Sequence, residues 1–193
     1  MLEVARMSAD VSGRREALGG LAARVARRGH AIARDLLGDT AEAEDAVQES
    51  LARACANWER LREPEALDGW FFRVLTNVCL RSLRRRRLGQ ALRRFWSGDA
   101  VVEGRGEDAE WDLVDAQAAR PDEGLDTRRL LDAVGELPVM QRAALVLRYG
   151  HDCGVGEIAA MLGVGEGTVK THLVRGLAKL RERVGADESR RAR

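Results

Sequence analysis

The sequence predicts an all-α protein: two small helical domains joined by an acidic, flexible linker, the second domain a helix-turn-helix. Three observations predict it. The 193-residue chain is rich in Ala, Leu, Arg and Glu and poor in Ile and Thr, and only 4% of it is aromatic, a helix-forming composition. Charge is segregated: about +5 over residues 1–98, about −8 over 99–126 and about +4 over 127–193, within an overall +1. Apolar residues recur at helical spacing on both sides of the acidic stretch and not within it. The expected division is a first domain over residues 1–96, a linker over 97–126, a second domain over 127–185 and a disordered tail over 186–193.

Residues 1–12 read as a loose start. A helix follows over about 15–37, with Leu18, Leu21, Ala22, Val25, Ala31, Ile32 and Leu36 turned to a core. Gly38-Asp39-Thr40 breaks it, and Asp39 or Thr40 can cap the next helix. That helix, about 41–58, buries Ala43, Ala46, Val47, Leu51, Ala54 and Trp58. Asp45, Gln48, Glu49 and Ala52 fall on another face. This face is either an ordinary solvated surface or a docking surface for a basic partner helix. Residues 59–69 are polar, contain Pro64 and Gly69, and stand between Trp58 and Trp70. They read as a surface connection, or as a loop where arginine and aromatic rings receive an unstacked base.

The stretch from Trp70 to Arg94 carries the strongest chemistry. Phe71, Val74, Leu75, Val78 and Cys79 recur at core spacing. Arg73, Asn77, Arg81 and Arg84 share the opposite face, and no carboxylate interrupts the stretch. Guanidinium groups grip phosphates and an amide can hydrogen-bond a base edge, so this face suits a nucleic acid. The acidic segment that follows contains Gly98, Gly104, Gly106 and Pro121 and has no sustained apolar period. Trp111, Leu113 and Val114 offer at most one short helical turn within it.

Past the linker, Leu130, Leu131 and Val134 define a short helix ending at Gly135. Leu137-Pro138 opens another, carrying Met140, Ala143, Ala144, Val146 and Leu147 and stopping near Gly150. Residues 154–184 read as a helix-turn-helix. Ile158, Ala159 and Leu162 face inward, Gly163 supplies the turn, and Val169, Leu173, Leu177 and Leu180 form the buried stripe of the second helix. Glu166, Thr168, Lys170, Thr171, His172 and Arg175 are left near its start and outer face, where a recognition helix meets the major groove.

Other chemistry is not indicated. Gly163 to Thr171 resembles a phosphate-binding loop only superficially, because Val169 stands where that loop needs glycine and no strand precedes it. No paired carboxylates, nucleophile triad or metal cluster points to an enzyme, and no cofactor is expected. Cys55, Cys79 and Cys153 are odd in number and far apart, so neither a disulfide framework nor a zinc site is expected. Cys55 and Cys79 read as small core residues. No apolar run reaches membrane-spanning length, so no membrane insertion and a cytoplasmic setting are expected.

The two halves together resemble a bacterial RNA polymerase sigma factor of the extracytoplasmic-function group. Ala43-Glu44-Asp45-Ala46-Val47-Gln48-Glu49 is similar to that family's core-binding helix. Trp70-Phe71-Phe72-Arg73-Val74-Leu75-Thr76-Asn77 with Leu83-Arg84-Arg85 is similar to its minus-ten helix. Leu137-Pro138, Arg142, Leu147-Arg148-Tyr149, Glu157-Ile158-Ala159, Leu162-Gly163 and Gly167-Thr168-Val169-Lys170 are similar to its minus-thirty-five domain. The resemblance implies that Asp45, Gln48 and Glu49 meet the clamp coiled coil of core polymerase. It implies that Arg60, Trp70, Arg73, Asn77, Arg81, Arg84 and Arg85 serve the minus-ten DNA, with a flipped base held by the loop from Arg60 to Asp68. Glu166, Thr168, Lys170, Thr171, His172 and Arg175 would serve the minus-thirty-five duplex. An anti-sigma protein is a further implied partner. Thr76 and Arg81 depart from the pattern, as do Gly154, in place of a Ser or Thr cap, and His172, in place of a common Arg. A competing expectation is a LuxR-like helix-turn-helix regulator that binds duplex DNA as a dimer, since Gly165 to His172 also resembles that output domain. Such a regulator usually carries an α/β domain upstream.

Overall fold

A computed structural model describes residues 2–57, 64–96 and 127–191, with side-chain surroundings over 19–57, 67–93 and 130–184. Among the described residues there are seven α-helices and no strand: α1 Leu2–Leu37, α2 Thr40–Ala56, α3 Pro64–Trp96, α4 Thr127–Glu136, α5 Val139–Leu145, α6 Val155–Leu162 and α7 Glu166–Arg191. The described residues fall into two compact units, those within 1–79 with 160–163 and those within 80–159 with 164–193.

In the first unit α1 packs along α2, and the start of α3 lies against α1. Leu21, Val25, Ile32, Ala33 and Leu36 of α1 are buried with Ala43, Ala46, Val47 and Ala54 of α2 and Leu67, Phe71, Leu75 and Cys79 of α3. Small residues let the helices approach. At Gly29 an added Cβ would lie 3.1 Å from Phe71 Cε1 and 3.3 Å from Leu75 Cδ2. Both side chains are fully buried, so neither can yield cheaply. Asp39 caps α2, its Oδ1 accepting from the Glu42 amide at 2.8 Å. The exposed Arg24 guanidinium on α1 donates to both carboxylate oxygens of Asp68, at 3.0 and 3.3 Å.

In the second unit α5 and α4 pack on α7. Ala143, Ala144, Leu145, Leu147, Cys153, Ile158 and Val169 are buried there. The chain reaches α6 through a π-helical turn, Val146–Gly150, continuous with α5. Beyond it Asp152 adopts a positive φ of 51°. The Cys153 amide donates to the Leu147 carbonyl at 3.0 Å and the Arg148 guanidinium donates to the Cys153 carbonyl at 3.0 Å. Together these bonds close the turn. The bend from α6 to α7 uses Gly163 at φ 69°, a left-handed conformation that a Cβ would strain.

Several expectations need correction. The connection over 59–69 is shorter than predicted, because α3 already begins at Pro64; proline is preorganised for a first helical turn. α1 begins at Leu2 and α7 continues to Arg191, so helix replaces both the loose start and most of the expected tail. Leu131 is 63% exposed, so α4 buries a narrower face than its leucines suggest. Cys55 is exposed, whereas Cys79 is buried. Burial pushes the Cys79 thiol up to about 12, which keeps it protonated and unreactive at neutral pH. The expected linker, with its Trp111, Leu113 and Val114, lies outside the described residues.

Candidate nucleic-acid interface

The face of α3 follows from one alternation. Phe71, Phe72, Leu75, Thr76, Val78, Cys79, Leu80 and Leu83 are buried, which leaves Arg73, Asn77, Arg81, Arg84 and Arg85 exposed. Thr76 belongs to the core side. Its hydroxyl donates to the Phe72 carbonyl at 2.8 Å, which satisfies a buried polar group within its own helix. Trp70 is half-buried at the start of this row. Phe71 and Phe72 meet edge to face at 5.6 Å between centroids, and the Arg28 guanidinium lies 5.1 Å from the Phe72 ring centroid. The aromatics at the head of α3 thus brace the helix, and the cations beyond them meet solvent. Trp58 and Arg60 lie outside the described residues. Asp68, the far end of the expected base-holding loop, stands in α3 and is bonded to Arg24.

The acidic face of α2 is formed by the same logic. Ala43, Ala46, Val47, Ser50 and Ala54 are buried, and Asp45, Gln48 and Glu49 are exposed. Ser50 donates to the Ala46 carbonyl at 2.7 Å, so its burial leaves no orphan hydroxyl. Glu49 accepts from Arg53 one turn later, at 2.5 Å. This partly neutralises one end of the face and leaves Asp45 and Gln48 as its open centre.

In the second unit α7 presents its first turns outward. Glu166, Thr168 and Lys170 are exposed, and Thr171, His172 and Arg175 are partly buried, around the buried Val169. The Thr171 hydroxyl donates to the Gly167 carbonyl at 2.9 Å. Glycines at 165 and 167 leave open space where side chains would stand, so a second backbone can come close to the helix start. An exposed N-terminal turn with Lys170 and two threonine hydroxyls is chemically fit to contact a duplex groove and its phosphates.

Sequence reasoning missed one group. Arg87, Arg142 and Arg183 gather at the corner joining α4 to α5. Arg87 donates to the Glu136 carbonyl at 3.3 Å and to the Leu137 carbonyl, and Arg183 pairs with the Glu136 carboxylate. The arginine run signals Arg87 and the family pattern includes Arg142, but neither shows which members turn inward.

Comparison with known proteins now adds to this geometry. The Sigma-70 region 2 family matches residues 21–88 and the Sigma-70 region 4 family matches residues 127–180. The sigma-E factor of Streptomyces coelicolor is 31% identical over 154 residues, covering 80% of this chain and 78% of that protein. The ECF sigma factor SigM of Mycobacterium tuberculosis is 31% identical over 179 residues, covering 93% and 83%. Among solved structures, the sigma factor RpoE in complex with the anti-sigma factor NepR from Bartonella quintana aligns with a TM-score of 0.56 at 25% identity, over 86% of this chain and 95% of that one. CnrH in complex with the cytosolic domain of CnrY aligns with a TM-score of 0.60 at 23% identity, over 93% and 95%. The region 2 match lies where a LuxR-like regulator would carry its α/β domain, and supports the sigma-factor reading over that alternative. With both regions in order and relatives matched over most of their length, the chain belongs to the sigma-70 family, in its extracytoplasmic-function group, and is a sigma factor.

Proposed function

We propose that this sigma factor docks on core RNA polymerase through the α2 face of Asp45, Gln48 and Glu49, and works as a non-enzymatic specificity subunit in the cytoplasm. The exposed row Arg73, Asn77, Arg81, Arg84 and Arg85, with Trp70 and Arg60, engages the minus-ten promoter DNA. The start of α7, with Glu166, Thr168, Lys170, Thr171, His172 and Arg175, engages the minus-thirty-five duplex. The observation that carries this reading is the carboxylate-free, solvent-facing row on α3, on the same chain as an outward-facing recognition helix. An anti-sigma protein is a further partner; the relative RpoE was solved with one.

The physics favours a subunit over an independent DNA-binding protein. Two modest basic modules on one tether bind DNA weakly alone. Held by polymerase at a fixed spacing, each gains from the other through effective concentration. Capture of unstacked bases then stabilises melted DNA without nucleotide hydrolysis. The direct test is a pull-down with core polymerase followed by run-off transcription on fragments of the source genome. Specific initiation only when chain and core are both present is the expected result. Tight duplex binding by the chain alone, with no effect on core, would overturn the reading.

A further inference from the structure

We propose that Arg86, Arg87, Arg142 and Arg183 form a phosphate-binding site at the α4–α5 corner, separate from both DNA faces. The corner is residues 135–137. Arg87 caps it by donating to the Glu136 and Leu137 carbonyls, and Arg183 pairs with the Glu136 carboxylate. Arg142, on α5, places Nη1 3.8 Å from where a Cβ on Gly135 would stand. Capping of a helix C-terminus explains Arg87, and Glu136 explains Arg183. Neither explains Arg142, whose Nε is buried without a hydrogen-bond partner among the described residues.

Charge points the same way. Burial lowers the pKa of Arg142, and Arg86 and Arg87 lower it further. Burial also lowers that of Arg87, with Arg183 adding to it. Four guanidinium groups therefore share one neighbourhood, in which the Glu136 carboxylate is engaged by Arg183. Such a cluster is relieved by an anion that carries more than one charge and accepts several hydrogen bonds at once. A phosphate group does both, whereas one carboxylate supplies a single charge and two oxygens. The phosphate has two possible sources: the backbone of a nucleic acid, or a free polyphosphate such as that of a nucleotide. The inference rests on the arginine geometry and goes beyond the promoter contacts proposed above.

The test uses the full chain without polymerase, so it is independent of the transcription assay. Thermal unfolding is followed with sodium pyrophosphate and with sodium chloride at matched ionic strength. Pyrophosphate should raise the melting temperature by about 5 °C more than chloride does. Arg142→Gln should remove the extra rise, and Arg34→Gln, at an exposed α1 position paired with Asp35, should keep it. If Arg142→Gln fails to fold by circular dichroism, Arg86→Gln and Arg183→Gln take its place. Duplex binding against salt then separates the sources. A slope reduced by about one in the variant assigns the site to backbone phosphate; an unchanged slope with a lost pyrophosphate response assigns it to a free polyphosphate. Equal effects of pyrophosphate and chloride on the wild-type chain would overturn the proposal, as would a pyrophosphate response retained in Arg142→Gln, or in both substitutes if it does not fold.

Discussion

At the residue scale, burial decides what each arginine and asparagine can do. Helical spacing alone separated Phe71, Leu75 and Val78 from Arg73, Asn77 and Arg81, because a helix with one buried side sorts its residues by angle. The same rule misplaced Leu131 and Cys55, since the width of a buried stripe depends on how much of the helix its neighbours cover. Arg142 was beyond reach for another reason: convergence of α3, α5 and α7 on one corner leaves no mark in any local spacing. Asp152 gives a sharper residue-level case. Its φ of 51° places a side-chain-bearing residue in the left-handed region, which costs an ordinary residue about 1–2 kcal/mol and aspartate less. Asp152→Gly should therefore raise the unfolding free energy by about 0.5 kcal/mol in urea titration. A loss of stability would mean that the Asp152 side chain contributes more than its backbone costs.

At the scale of elements, helix ends were legible wherever the chemistry is local. Asp39 before α2 and Gly163 before α7 behave as their types predict. Asp39→Ala removes the bond to the Glu42 amide and should cost about 1 kcal/mol, read by chemical denaturation; no change would show that the cap is redundant with solvent. α3 starts earlier than the polar character of residues 59–69 predicts, because Pro64 fits a first helical turn. The π-helical turn after α5 is not legible, because it is closed by bonds between Cys153 and residues 147 and 148 that no apolar period marks. The exposed face of α2 belongs to this scale too. Asp45→Arg reverses charge at its centre without touching a buried position. It should weaken binding to core polymerase at least about tenfold, as expected when like charges are forced together across an interface, and leave the circular dichroism spectrum unchanged. Retained core binding would remove α2 from the docking surface.

At the scale of the whole molecule, the sequence carried the all-helical class and the basic-acidic-basic order of charge. The division of labour proposed above fits that order: one module to open DNA, another to hold the duplex upstream, and polymerase to set their spacing. The central claim is that the α3 row acts on melted DNA, not on core polymerase. It is tested most directly with Asn77→Ala, an exposed position whose loss leaves the core untouched. The measurement compares binding to core polymerase with permanganate reactivity of promoter thymines in the reconstituted holoenzyme. The account predicts unchanged core affinity and a severalfold loss of reactive thymines. Equal loss of both, or full melting with Asn77 gone, would contradict it.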